Sequence, residues 1–308
     1  MHLVNKEDDE RMDSVKKYLV HNEKASIIVA DTTELVENLK NLHDLTPTTT
    51  AAMGRFVTIS GIMGLTEIKE KDDLITVQMN GRGPTGSLVS VIKFDDNKSK
   101  VKAYITEPHV ELPLREDGKI DVGGAIGKDG YLNVIRKNMM TDSNYSGMIP
   151  LVSGEVAEDF AGYFVKSMQK PTVLALGVLV NKDGVKKSGG FLLNLMPDAT
   201  EEEIVKIENA LSNAPSISKM LDEDKSLEEI VKLVTGDENP TVIDDSLEIV
   251  YECDCSKEKF ESGLISIGKE KLNEIIEEDG IASIVCQFCN KEYNFTKEEL
   301  TALLDECK

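Results

Sequence analysis

Hydrophobic positions recur along this chain of 308 residues with two spacings, one helical and one of strand type. A charged stretch over about 9–20 reads as a helix, and the apolar run Ala25–Ala30 as a strand. Asp31 and Glu34 stand at the spacing of an N-terminal capping pair, ahead of a helix with Leu35, Val36, Leu39 and Leu42 on one face. Thr46-Pro47 marks another helix start, because proline in the first turn gives up an N–H that has no intrahelical partner. Met53, Phe56, Ile59 and Met63 continue that helix. From Leu74 the period changes to two. Leu74–Met79, Ser87–Phe94 and Lys100–Thr106 read as strands joined by Gly-, Asp- and Asn-rich turns, and short strands continue through Leu151. A helix over about 155–169 carries Val156, Phe160, Tyr163 and Phe164 on one face. Thr172–Val180 and Gly190–Leu195 then form a hairpin around Asn181-Lys182-Asp183-Gly184. Strands and helices in unequal runs predict an α+β fold class, with a mixed core domain over 1–197.

After Pro197 the texture is helical and acidic. Thr200 with Glu203, and Ser226 with Glu229, have capping-box spacing, and Glu201, Glu202 and Glu203 suit the positive end of a helix dipole. Apolar positions are sparse there, so these helices need a neighbour to be stable. Residues 198–240 therefore read as a docked helical linker, and 241–308 as a small terminal domain.

Charge sharpens that division. The chain holds 56 acidic and 35 basic residues, a net charge of −21, and residues 1–197 carry 27 of the acids and 24 of the bases. The deficit of positive charge thus lies almost wholly beyond residue 197, which separates a nearly neutral body from an anionic tail. Such acidity argues against nucleic acid as a partner, since that binding rests on Lys and Arg neutralising phosphates. No stretch approaches the ~18 apolar residues of a membrane span, and no apolar run follows a basic start as in a secretory signal. The expected location is the cytoplasm.

The chemistry sits at the C-terminal end. All five cysteines, Cys253, Cys255, Cys286, Cys289 and Cys307, fall in the last 56 residues. Cys253-Asp254-Cys255 and Cys286-Gln287-Phe288-Cys289 form two close pairs, the arrangement that supplies four thiolates to a tetrahedral zinc, one ion per chain. Four thiolates fill the coordination sphere, which argues against catalytic zinc. A staple that holds a small domain together is one reading. A redox site is another: oxidising either pair removes two ligands at once, and metal binding is coupled to folding. Cys307, on a helix capped by Thr296 and Glu299, reads as an idle surface thiol.

With Ser256 and Tyr293-Asn294-Phe295 added, the cysteine arrangement resembles the C-terminal redox switch of the 33-kilodalton heat-shock chaperones. Further matches run in order through the core. They are Gly81-Arg82-Gly83-Pro84-Thr85-Gly86, Glu107-Pro108, Leu112-Pro113, Asp121-Val122-Gly123-Gly124-Ala125-Ile126-Gly127, Ser153-Gly154-Glu155-Val156-Ala157-Glu158-Asp159, Ser188-Gly189-Gly190-Phe191 and Met196-Pro197. The chain departs from the family pattern at Lys137-Asn138-Met139-Met140, and at Ser167-Met168-Gln169, where the family has Glu in the middle. The resemblance implies an ATP-independent holdase and no enzyme. It implies that the reduced form holds zinc through Cys253, Cys255, Cys286 and Cys289 and is inactive. It further implies that oxidation forms Cys253–Cys255 and Cys286–Cys289 disulfides, releases zinc and unfolds the linker. The active form then binds unfolding client proteins against aggregation and tends to form a homodimer, in a stress response.

Other signals reduce to structure. Gly81-x-Gly83-x-x-Gly86 spells a dinucleotide fingerprint, but the strand pattern of Ser87–Ile92 follows it where that motif needs a helix. Met139-Met140 reads as core filler, and His2, His21, His43 and His109 have no triad around them. Two alternatives to the holdase remain, an interaction protein with a purely structural zinc module and a thiol-disulfide oxidoreductase using Cys286 and Cys289. The latter would place its CxxC at a helix N-terminus, and here a strand pattern follows it.

Overall fold

The computed structural model describes residues 13–68, 70, 73–304 and 306–307. The chain divides into two compact units, Met1–Tyr251 and Glu252–Lys308.

The large unit opens with β1 (Ser14–Val20) and β2 (Ala25–Asp31), followed by α1 (Thr33–His43) and α2 (Pro47–Glu67). Next come β3 (Leu74–Asn80), β4 (Ser87–Asp95), β5 (Lys98–Ile105), the single turn α3 (Val122–Ile126), β6 (Tyr131–Asn138) and β7 (Ser143–Pro150). After α4 (Val156–Lys166) the hairpin β8 (Thr172–Asn181) and β9 (Gly184–Leu195) returns to the first strands, and α5 (Glu201–Asn213), α6 (Ile217–Asp222) and α7 (Leu227–Thr235) follow. Two short strands, β10 (Thr241–Asp244) and β11 (Glu248–Tyr251), complete it.

These strands build two sheets. The first, in the order β10-β1-β2-β9-β8, is antiparallel throughout. The second, in the order β11-β5-β4-β3-β6-β7, is antiparallel except where β11 runs parallel to β5. Helix α2 packs against β4 and β5 of the second sheet and against β8 and β9 of the first. It is buried on every side, from Thr48 to Gly64, which is why its apolar residues show no single stripe. Its glycines are part of that fit: a Cβ on Gly61 would run into the side chain of Ile249 on β11. Thr46 caps the helix, accepting a hydrogen bond from the Thr49 N–H, with Pro47 in the first turn.

The first sheet is covered on its other face. Tyr18, Val20, Ala25, Ile27, Val29, Phe191 and Leu193 form a second core with Ile207, Ile217, Met220, Leu221, Leu227, Ile230, Val231 and Val234 from α5–α7. The apolar positions of 198–240 are few, but they land on one surface. Both capping boxes close, at Thr200–Glu203 and at Ser226–Glu229.

Several expectations need correction. The helix expected over 9–20 is strand β1 from Ser14 on, and residues 9–12 lie outside the described residues. Charged Lys16 and Lys17 suggested a solvated helix, but pairing with β2 and β10 makes the segment a strand. Asp31 and Glu34 do not form a reciprocal cap. Asp31 accepts from Thr33, while the carboxylate of Asp13, 21 residues upstream, takes the N–H groups of Glu34 and Leu35 at 2.8 Å each. Met139 and Met140 are no core filler, being 46% and 79% exposed at the turn between β6 and β7. The terminal domain was expected from residue 241; residues 241–251 instead complete one edge of each sheet as β10 and β11, and the unit boundary falls after Tyr251.

The small unit consists of α8 (Lys257–Ser266), α9 (Lys269–Glu278), the hairpin β12 (Ala282–Val285) and β13 (Glu292–Phe295), and α10 (Lys297–Leu304). Its core is Leu264, Leu272, Ile276, Cys286, Tyr293, Phe295, Leu300 and Leu303.

Candidate metal centre and redox site

Cys253 and Cys255 lie on the irregular stretch that leads into α8. Ser256, itself extended, caps that helix by accepting from the Lys259 N–H. Asp254, between the two cysteines, pairs with Lys259, whose Nζ lies 2.8 Å from its carboxylate and 2.5 Å from its carbonyl oxygen.

The second pair sits in the turn between β12 and β13. The Cys286 N–H donates to the Lys291 carbonyl at 2.9 Å, and the N–H groups of Cys289 and Asn290 both donate to the Cys286 carbonyl. Asn290 takes the left-handed conformation that closes the turn. A tight backbone knuckle thus presents both sulfurs to the same side. The register Val285↔Glu292 and Ile284↔Tyr293 fixes its position on the hairpin.

The four sulfurs of Cys253, Cys255, Cys286 and Cys289 all lie within 4.8 Å of one another. Cys253 Sγ is 3.8 Å from Cys286 Sγ, and Cys255 Sγ is 3.4 Å from Cys289 Sγ. A tetrahedron with metal–sulfur arms of about 2.3 Å has edges of about 3.8 Å, so the spacing and the donor set fit zinc. In the reduced cluster each arm's sulfurs stand in contact with those of the other arm.

Burial and hydrogen bonding make the four unequal. Burial pushes the Cys253 and Cys289 thiols up. Burial also acts upward on Cys255, but hydrogen bonds from Tyr293 and from the neighbouring thiols outweigh it and bring Cys255 down to about 7. The Tyr293 hydroxyl lies 3.1 Å from Cys255 Sγ and donates to the Cys255 carbonyl at 3.0 Å. The hydrogen bond with the Cys255 sulfur, followed by burial, raises the phenol well above its ordinary range. Lys291 stands over the Tyr293 ring and Lys257 over the Phe295 ring, each 5.0 Å from the centroid, and Lys257 also pairs with Glu299 at 2.6 Å.

The structure therefore brings together all four cysteines singled out by their spacing. Cys307 stays apart, half-buried against the small core, its Sγ directed at the carbonyls of Leu303 and Ile265. Tyr293 enters the sequence reading only within a motif. Its role needs the hairpin register, which alone carries its hydroxyl to the opposite arm.

Comparison with known proteins places these features in context. The family model described as Hsp33 protein matches residues 13–296. A 33 kDa chaperonin of Clostridioides difficile is 44% identical over 285 residues, 92% of this chain and 96% of that protein. The 33 kDa chaperonin of Bacillus subtilis is 40% identical over 297 residues, 96% of this chain and 99% of its own length. The crystal structure of a 33 kDa chaperonin from Thermotoga maritima superposes with a TM-score of 0.84 at 33% identity, covering 95% of this chain and 98% of that one.

Proposed function

The chain belongs to the Hsp33 family of redox-regulated chaperones, and from that premise we propose how its two units work as a switch. In the reduced state Cys253, Cys255, Cys286 and Cys289 hold one zinc ion. The metal, when bound, fixes four thiolates in one place and so keeps a small core folded. The anchoring observation is the convergence of four sulfurs, from two arms 33 residues apart, within 4.8 Å.

Oxidation joins Cys253 to Cys255 and Cys286 to Cys289, and no thiolate ligand then remains. The small unit loses its staple and unfolds. Its connection to α5–α7 runs through β10 and β11, two four-residue strands that end the sheets. When α5–α7 leave, the apolar face around Tyr18, Ile27, Val29, Phe191 and Leu193 is uncovered. That face, with the freed linker, holds unfolding client proteins without nucleotide, and the oxidised form associates as a homodimer. The acidic residues beyond Pro197 keep such complexes soluble. A cytoplasmic setting, where thiols are kept reduced, holds the switch off until an oxidant arrives. No catalytic turnover is involved.

Light scattering from a heat-unfolded client tests this. The zinc-loaded reduced chain should leave aggregation unchanged, the peroxide-treated chain should suppress it, and a thiol reductant should reverse the suppression. If neither form suppresses aggregation, the tetrad is a structural zinc staple alone. Equal suppression by both removes the switch.

A further inference from the structure

Resting on that reading of the tetrad as a zinc site, we propose that Lys259 is a positioning residue for the metal, holding Asp254 and so the two sulfurs that flank it. The two arms of the tetrad are built differently. Cys286 and Cys289 belong to a turn closed by its own backbone hydrogen bonds and fixed on a hairpin. Cys253 and Cys255 lie between elements, since β11 ends at Tyr251 and α8 begins at Lys257. Side chains from elsewhere in the small unit do for this arm what the turn does for the other. Lys259, in the first turn of α8, places its ammonium 2.5 Å from the Asp254 carbonyl oxygen and 2.8 Å from the Asp254 carboxylate. Tyr293 donates to the next carbonyl, that of Cys255, at 3.0 Å.

A lone exposed ion pair contributes little, and the side chains of Lys259 and Asp254 are 56% and 31% exposed. The bond to the carbonyl changes the balance. One ammonium that donates to the main chain and the side chain of the same residue fixes that residue's backbone as well as its carboxylate. Lys259 is itself anchored, because its N–H donates to the Ser256 side chain in the helix cap. Asp254 is the single residue between Cys253 and Cys255, so holding its backbone sets the directions in which both thiolates leave the chain. A tetrahedral zinc needs four sulfurs aimed at one point, and groups that orient the ligands from behind strengthen metal binding. The charges act in the same sense. Zinc with four thiolates is net anionic, the Asp254 carboxylate adds a negative charge beside it, and the ammonium offsets that charge.

The test uses the full reduced chain with its Lys259→Met and Lys259→Arg variants. Methionine keeps much of the aliphatic stem, and Lys259 is no part of the small unit's core, so both variants should fold. Zinc affinity is read by competition with a chromogenic chelator. Lys259→Met should bind zinc about tenfold more weakly, the lower end of the range for losing a group that orients ligands. Lys259→Arg keeps the charge and the donors and should stay within about twofold of the parent. With cobalt in place of zinc, the visible ligand-field bands of Lys259→Met should shift, because its four sulfurs form a less regular tetrahedron. Parent affinity and unmoved bands in Lys259→Met overturn the proposal. Equal weakening in both variants also overturns it, since Lys259 would then serve the fold and not the site. Neither readout uses a client protein: a parent that binds zinc but never suppresses aggregation sinks the chaperone reading and leaves this one standing. A parent chain that binds no zinc overturns both.

Discussion

Glu67, at the end of α2, is a buried carboxylate, 5% exposed at its side chain, and it holds two cations. Arg136 approaches it at 3.3 Å and Lys170 at 2.8 Å, while Arg136 also donates to the sulfur of Met168 at 2.9 Å. Met168 offers the guanidinium only a thioether, and the negative charge beside Arg136 comes from Glu67. Replacing Glu67 with Gln would leave two half-buried cations without their anion and should cost about 1–3 kcal/mol in urea denaturation. Asp159, fully buried on α4, shows the opposite sign. Its carboxylate accepts from the N–H groups of Val152 and Ser153, but burial outweighs these bonds and raises its pKa. A carboxyl whose folded pKa lies above the unfolded one favours the folded state fully below the ordinary carboxylate range. That contribution is lost as pH rises through the raised value. Asp159→Asn keeps an acceptor and removes the charge. Denaturation midpoints at about pH 5 and pH 7 should therefore differ less in the variant than in the parent.

At the scale of elements, the informative feature is the layer formed by α5, α6 and α7, of 13, 6 and 9 residues. Helices this short are marginal alone, and caps add only about 1 kcal/mol each. Their stability comes from burying Ile207, Met220, Leu221, Ile230, Val231 and Val234 on the first sheet. Truncating one of these should loosen the layer without touching the core around α2. Ile230→Ala should cost about 2–4 kcal/mol. The loss should appear in hydrogen exchange as faster amides in α7, with α2 unchanged. In the proposed switch the variant should also suppress client aggregation partly while reduced, and absence of any such activity would detach the layer from the function.

Considered whole, the molecule joins a large unit with two cores to a small one whose core, among the described residues, has eight buried side chains, Cys286 among them. A core of that size rarely holds a fold unaided, whereas a structural zinc binds with roughly 10–16 kcal/mol in small peptides. Stripping metal from the reduced chain with a strong chelator should therefore open residues 252–308 to protease, while the region of α2 stays protected. Peptide mapping after brief digestion checks this, and uniform cleavage along the chain would deny the two units separate stability.

Much of this was decided locally and so could be read along the chain. Helix α2, strands β3–β5, the β8–β9 hairpin and the capping boxes follow from nearest-neighbour periods and caps. The tetrad follows from thiol chemistry, since each pair is local and few other uses of such pairs exist. The tertiary structure decided what depends on distant partners. Ser14–Val20 is a strand because β2 and β10 flank it, and residues 241–251 join the large unit because each sheet has an open edge there. Asp13 caps α1 only because the β1–β2 hairpin brings the two together. The sparse apolar residues of 198–240 gain meaning from the sheet beneath them, and the Tyr293 hydroxyl from the register that carries it across to Cys255. Periodicity reports one residue's relation to its near neighbours, whereas sheet edges, cladding layers and cross-arm hydrogen bonds are set by which surfaces remain unsatisfied after the local elements have formed.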